Sequence, residues 1–542
     1  MVDVGASLVE RHCVHDVPAR GPELRQSPAD GDLTCCAQPE RARVGVEPEQ
    51  AGDEGGDRRP PRQLGGSSPC RRPGPVRGEV PPRSRLVVAR WIIALGGTWR
   101  GMIAGHRTER SPDAGKRSDG EQMPRGPLAP TLLAMDARGS SVSTGDATPG
   151  DTLESVELFR ADLELRRPVG TAKGAHRRRP VAFVRVRTAT AEGWGECAAL
   201  ESGTAVDAPL RVVLDALGRV GVPRLFAAVR ARAGALPPAA QVAALFGTGV
   251  PTRAVAATLE MAVLDAELRG TGTALWRRLG ADEEAARRGA PVGHLVGIPP
   301  DRSVDALVGA VGALVDRAAR VRVKIEPGWD LEPLRALRAA FPGLLLQADA
   351  NASYRLGGEG IDDARRLEAL DGAGLGCIEQ PLPPADLAAL AALAARLETP
   401  VCLDETLRTL RRLRDALRYG ACDVACIKPA RFGGLLGART AQQVCADAGV
   451  PAFVGGFFET GFARAANASL ALLGGFSLPG DLSDPGEYLH ADVAGAVRGG
   501  DGVVAPRYEG SMVRPYDGPG IAPAPQLAAP VLRWCPREVS SW

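Results

Sequence analysis

Histidine is scarce in this chain, six in 542 residues, and none is spaced from a cysteine as zinc ligands are. The eleven cysteines are scattered and form no Cys-x-x-Cys pair, and Cys377, Cys402 and Cys426 lie inside apolar runs. They read as buried reduced thiols rather than a disulfide framework. Any metal must then be held by carboxylates, which favours a hard cation such as Mg²⁺. An excess of one charge is also missing. With 66 Lys and Arg against 64 Asp and Glu, the formal net charge is +2, and no global field steers the chain to nucleic acid or an anionic membrane. Long apolar runs are absent too. The run at residues 86–97 is too short to span a bilayer, is broken by Arg90, and lies far from the first residue for a signal peptide. Neither nucleic acid nor membrane is expected as a partner, and a cytoplasmic location is expected. Oligomeric state is not legible, and a homo-oligomer stays open.

Residues 1–150 are dense in Arg, Pro, Gly, Asp and Ser and carry little hydrophobic periodicity. Such a segment buries too little apolar surface to offset chain entropy, so it is expected to be disordered. It reads as a non-native extension from a start assigned too early, with Met123 or Met135 as the true start. A basic regulatory or RNA-binding arm is the functional alternative.

From residue 153 the pattern changes. VELFRADLELRRPV and VAFVRVRTATAEGWGEC alternate apolar and polar residues as an antiparallel meander does. Helix-patterned segments follow, among them TRAVAATLEMAVLDAELRG, where Leu259, Val263 and Ala266 with Leu264 and Leu268 make an apolar stripe. Residues 151–288 are thus expected to form an α+β cap. Next come short, continuously apolar runs, several ending on a charge: RVRVKI (Lys324), LLLQADAN (Asp349), GCIEQP (Glu379), PVCLDE (Asp404) and VACIKP (Lys428). The charged positions step by 25, 30, 25 and 24 residues, the length of one strand, one helix and two loops. With PVGHLVGI before them, then PAFVGGF and GGFSLPGDL after, they predict a parallel (β/α) TIM-like barrel over residues 289–484. Residues 485–542 are expected to return to the cap. The fold class is therefore α/β, a (β/α) barrel preceded by an α+β capping domain.

In such a barrel the strand ends share one mouth, so Asp349, Glu379 and Asp404 converge there. Three carboxylates that close repel one another unless a divalent cation lies between them. The plainer alternative is that each caps the helix that follows it. Lys324 and Lys428 flank the trio. Arg322, two residues before Lys324, points the same way, and with the metal it favours a neutral Lys324 that can act as a base. The plainer alternative here is that the lysines pair with the carboxylates as buried ion pairs.

KIEPGWD, ADAN, IEQPL, CLDE, IKP and GGFFETGFARAAN, with EGWGEC and LEMAVLDAELRG before them, resemble the enolase superfamily, and within it the group of o-succinylbenzoate synthases and N-acylamino-acid racemases. The resemblance covers roughly residues 153–525. It implies that Asp349, Glu379 and Asp404 hold Mg²⁺, with Mn²⁺ as an alternative. Lys324 would be a general base and Lys428 the lysine on the opposite face of a small-molecule carboxylate substrate. Asn351 and Glu405 match residues beside the metal and the second lysine. Gly455, Gly456 and Glu459 match the seventh strand end, which lines the substrate pocket, and Asp481 matches the eighth. Arg322 departs from the pattern, which has lysine there. Residues 168–180 match a loop over the substrate, and their basic run, Lys173 to Arg179, either draws in a dianion or is simply a solvated hairpin tip.

What the resemblance implies as a reaction is Mg-dependent dehydration of a cyclohexadiene carboxylate through an enediolate, the o-succinylbenzoate synthase step of menaquinone biosynthesis. Racemisation of an N-acylamino acid and epimerisation of a dipeptide use the same lysine pair. A catalytically inactive barrel acting as a binding protein would be expected to lack one of Asp349, Glu379, Asp404 or Lys324, and all four are present.

Overall fold

A computed structural model describes residues 151–171, 174–357, 363–493 and 506–536, and side chains at 168–176 are excluded. The expected N-terminal extension lies outside this description, as do the side chains of Lys173 and His176 in the basic run at 173–179. Arg177 and Arg178 are exposed, and Arg179 is buried with Nη1 donating to the Pro180 and Ala199 carbonyls (2.7 and 2.8 Å).

Strands β1 (Leu153–Thr171), β2 (Gly174–Thr188) and β3 (Glu192–Cys197) form the meander, and β14 (Leu532–Trp534) adds to the other edge of β1. Alternation along β2 buries Val184 and Val186 under the cap helices, while Arg187 faces solvent. The helix Val250–Gly270 departs from the amphipathic stripe expected of it. Thr258, Glu260 and Asp265 are as buried as its leucines, because it lies between the cap sheet and the barrel. On the sheet side the backbones nearly touch. A Cβ on Gly193 would fall 2.2 Å from the Ala262 carbonyl oxygen, and one on Gly195 2.1 Å from that of Thr258.

The polar residues of this helix are structural. Glu260 accepts hydrogen bonds from the Leu435 and Leu436 amides (3.1 and 2.9 Å), which open the helix Leu435–Asp447. From β3, Glu196 does the same at Thr460 (3.0 Å) and Ala463 (3.2 Å), opening the helix Gly461–Ala471. Burial pushes both carboxyls up to about 7, against the amide hydrogen bonds that lower them. A carboxyl raised on folding adds stability below its unfolded value and loses it as pH rises through the folded one. Each should therefore cost on the order of 3 kcal/mol of stability between pH 4.5 and 8. Urea midpoints measured at pH 5 and 8 should fall less for Glu260→Ala than for the natural chain. An equal fall in both would refute this role.

The barrel comprises β4 (Ala290–Val296), β5 (Arg320–Lys324), β6 (Leu346–Asp349), β7 (Ile378–Glu379), β8 (Val401–Leu403), β9 (Val424–Ile427), β10 (Ala452–Val454) and β11 (Gly480–Asp481). Parallel ladders run unbroken from β4 to β10, and β11 pairs with the other side of β4. The Leu478 amide bonds the Ala452 carbonyl (3.3 Å) and closes the ring. Cys377, Cys402 and Cys426 are buried beside Phe453 and Leu478, as their apolar surroundings predict. The tail makes a detour the sequence did not suggest. β12 (Arg507–Glu509) and β13 (Met512–Arg514) form a hairpin, and β13 pairs antiparallel with the start of β4 before β14 reaches the cap. Val513, at that pairing, is fully buried, so the hairpin covers apolar surface on the barrel.

Candidate active site

Register sets the site. Lys324 pairs with Asp349, Asp349 with Glu379, and Glu379 with Cys402, so three charged strand ends stand at one level, and Asp404 lies two residues beyond Cys402, just past the end of β8. Neither Glu379 nor Asp404 caps a helix. Asp386 and Thr409 cap the helices that follow Glu379 and Asp404. The capping alternative is excluded for the two positions where a cap is described.

The ion-pair alternative is realised. Lys324 Nζ lies 2.7 Å from Asp349 Oδ2, and Lys428 Nζ 2.9 Å from Asp404 Oδ2. Arg431 Nη1 donates to Asp404 Oδ1 (2.7 Å), and its Nη2 reaches Asp207 of the cap (2.7 Å). Arg322 Nη1 donates to both oxygens of Glu379 (2.7 and 2.8 Å), and Nη2 lies 2.8 Å from Asp481 Oδ2. Arg322 thus directs its charge at Glu379 and Asp481, not at Lys324 as the sequence suggested.

These pairings perturb titration in opposite senses. Burial opposes ionisation of Asp404, but Arg431 and Lys428 more than reverse this and hold its carboxyl well below the usual range. Burial also opposes the Lys428 charge, and Asp404 overrides it, so the ammonium is held well above its ordinary value. Glu379 is pushed up to about 8 by burial, with Asp349 and Asp404 adding to it against Arg322. Glu405 rises to about 7 for the same reasons, and its Oε2 is buried without a hydrogen-bond donor.

A cavity of about 180 Å³ opens here, walled on the cap side by Leu200 and residues 202–205. Of the residues singled out in the sequence, Arg322, Lys324, Asp349, Asn351, Asp404, Glu405, Lys428, Gly456 and Asp481 line it. Glu379, Gly455 and Glu459 do not, which corrects the expectation that Gly455 and Glu459 face the substrate. Glu379 lies beneath the floor, fully buried. Gly455 packs on β9, where a Cβ would fall 2.5 Å from Cys426 Sγ and 2.8 Å from Lys428 Cγ. Glu459 turns inward to the Phe457 amide (2.8 Å) and to Arg464 (3.0 Å). Asn351 stands between Lys324, whose Nζ it accepts, and Glu405 Oε1 (3.1 Å).

Three participants escaped the sequence reading. Arg320 lies two residues before Arg322 and so on the same face, where it donates to Asp481 Oδ1 (2.5 Å). A Cβ on Gly293 would fall 2.3 Å from the Arg320 guanidinium, so that glycine leaves the arginine its room. Arg431 stands in the turn Pro429–Arg431, where no strand pattern marks it. Cys426 Sγ lies within 4.8 Å of oxygens of Glu379 and Asp404. Burial, then Asp404 and Glu379, push its thiol well up, and a neutral thiol is a poor ligand for a hard cation.

Residues 306–525 match the enolase C-terminal domain-like family. An N-succinylamino acid racemase from Amycolatopsis sp is 38% identical over 69% of this chain and 96% of that protein. An o-succinylbenzoate synthase from Geobacillus kaustophilus is 34% identical over 68% of this chain and 92% of that protein. Among solved structures, a probable mandelate racemase from Alicyclobacillus acidocaldarius superposes with a TM-score of 0.62 at 33% identity, covering 71% of this chain and all of that one. Among the described residues no helix is long and apolar enough to cross a membrane. With a barrel closed in this order and relatives matched over nearly their whole length, the chain belongs to the enolase superfamily, in the group of o-succinylbenzoate synthases and N-succinylamino acid racemases.

Proposed function

We propose that the chain removes a proton alpha to a carboxylate, and that its reaction is the dehydration yielding o-succinylbenzoate. One observation carries this. Lys324 and Lys428 come from β5 and β9, four strands apart in an eight-stranded ring, so their amines face each other across the cavity with acidic strand ends between them.

Asp349, Glu379 and Asp404 would hold Mg²⁺. They fit it as buried carboxylates: oxygens of Glu379 and Asp404 lie within 4.8 Å of each other, Asp349 ends the neighbouring strand at the level of Glu379, and Glu405 Oε2 beside them lacks a donor. When bound, the ion supplies positive charge that lowers the cost of ionising the carbon acid.

Lys324 takes the proton from the carbon alpha to the carboxylate, steered by Asp349 and Asn351. The C–H electron pair is taken up into the carboxylate as an enediolate. Lys428 stays cationic, held by Asp404 and by the face of Phe457, 4.6 Å from Nζ. The pair then returns to the ring, the neighbouring C–O bond breaks, and Lys324 passes its proton to the departing hydroxyl, which leaves as water. The net change is one C–H and one C–O bond broken, and one C=C and one O–H bond formed, the last in the water released.

Racemisation is the second reading, favoured by the 38% identical N-succinylamino acid racemase. Both relatives' names carry a succinyl group, so either substrate is expected to bear a second carboxylate. Purified protein with Mg²⁺, given the hydroxylated cyclohexadiene precursor, should yield o-succinylbenzoate by its ultraviolet absorbance. Racemisation of an N-succinylamino acid with no turnover of that precursor would reverse the order of the two readings.

A further inference from the structure

Arg322 stands where the family pattern has lysine, and its guanidinium is only about 6% exposed. Through Nη1 it grips both oxygens of Glu379, and Gln347 Nε2 donates to one of the same oxygens. Its Nη2 holds Asp481 (2.8 Å), and Nε lies 3.8 Å from Asp349. One planar cation thus bridges the acidic ends of β7 and β11 and approaches that of β6. A lysine has no fork, so it could meet one of these carboxylates but could not span them in this way.

We propose that Arg322 is a resident counter-cation that competes with the divalent metal for Glu379. In the metal-free protein it holds Glu379 and Asp481 together in place of an ion. Metal binding then becomes an exchange, in which the guanidinium gives up at least one Glu379 oxygen while keeping Asp481. Affinity for the ion is lowered by the strength of that grip, and the metal-free fold is steadied by the same amount. The inference rests on the metal reading proposed above. It adds that this chain, by one side chain, binds its ion more weakly than it would with lysine.

The test is calorimetric titration of the intact chain with Mg²⁺ alone, on natural protein, Arg322→Lys and Arg322→Gln. Melting in chelator is followed alongside, so that loss of fold is seen separately. Arg322→Lys should bind Mg²⁺ about fivefold or more tightly and melt lower in chelator. Arg322→Gln should melt lower still and gain more from saturating Mg²⁺ than the natural protein gains. If either variant is too unstable to titrate, the other carries the comparison. A purely structural arginine would lower the melting temperature and leave affinity unchanged, and equal or weaker Mg²⁺ binding by the folded variants overturns the competition alone. Failure of all three proteins to bind Mg²⁺ overturns the metal reading and this inference with it.

Discussion

Lys324→Ala should lower turnover about 10⁴-fold, the upper end of what a positioned general base supplies. The loss is placed at that end because dehydration, as proposed, uses one base twice. Lys324 accepts the alpha proton and returns it to the departing hydroxyl, so its removal disables both steps. The substitution also removes a partner from Asp349 at 2.7 Å. Freed of the ammonium, that carboxylate should hold a divalent ion at least as well as before, so Mg²⁺ titration of the variant separates a lost base from a lost metal site. Affinity held and turnover lost, with the alpha proton no longer exchanging into deuterated solvent, is the expected pattern. Turnover within tenfold of the natural enzyme would mean that another group takes the proton.

The catalytic ring was legible because barrel geometry turns spacing along the chain into position around a mouth. Once Lys324, Asp349, Glu379, Asp404 and Lys428 are known to end successive strands, their convergence follows from the period alone. What the charges do to one another did not follow. Arg322 was expected to act on Lys324, its neighbour on the strand, yet the fork turns across the barrel to Glu379 and Asp481, 57 and 159 residues away. Glu196 and Glu260 lie in a strand and a helix, and no pattern in the sequence marks them. Only the packing of cap on barrel makes them acceptors for the amides of helices more than 170 residues downstream. Arg431 was missed for a similar reason. It lies in a turn, and its partner Asp207 sits in a cap loop that no periodicity links to the barrel. That arginine also ties the cap to Asp404, so the wall over the cavity is fastened to one of the acids beneath it.

Lys428→Arg separates the two reactions that the lysine pair permits. Arginine keeps a positive charge on that face but does not lose its proton in a protein, so it cannot serve as a base. For dehydration Lys428 is asked only to remain cationic, and the variant should lose about ten- to a hundredfold, chiefly because Gly455 packs close against the stem and leaves a guanidinium little room. Racemisation requires each lysine to act as base toward one enantiomer and as acid toward the other, and there the loss should be about 10⁴-fold. Deuterium exchange sharpens the contrast. In Lys428→Arg one enantiomer of an N-succinylamino acid should still exchange its alpha proton through Lys324, while the other should not. Dehydration lost as completely as racemisation would show that Lys428 transfers a proton in both reactions, and its role as a fixed cation would fail. Racemisation surviving in the variant would instead remove Lys428 from proton transfer altogether.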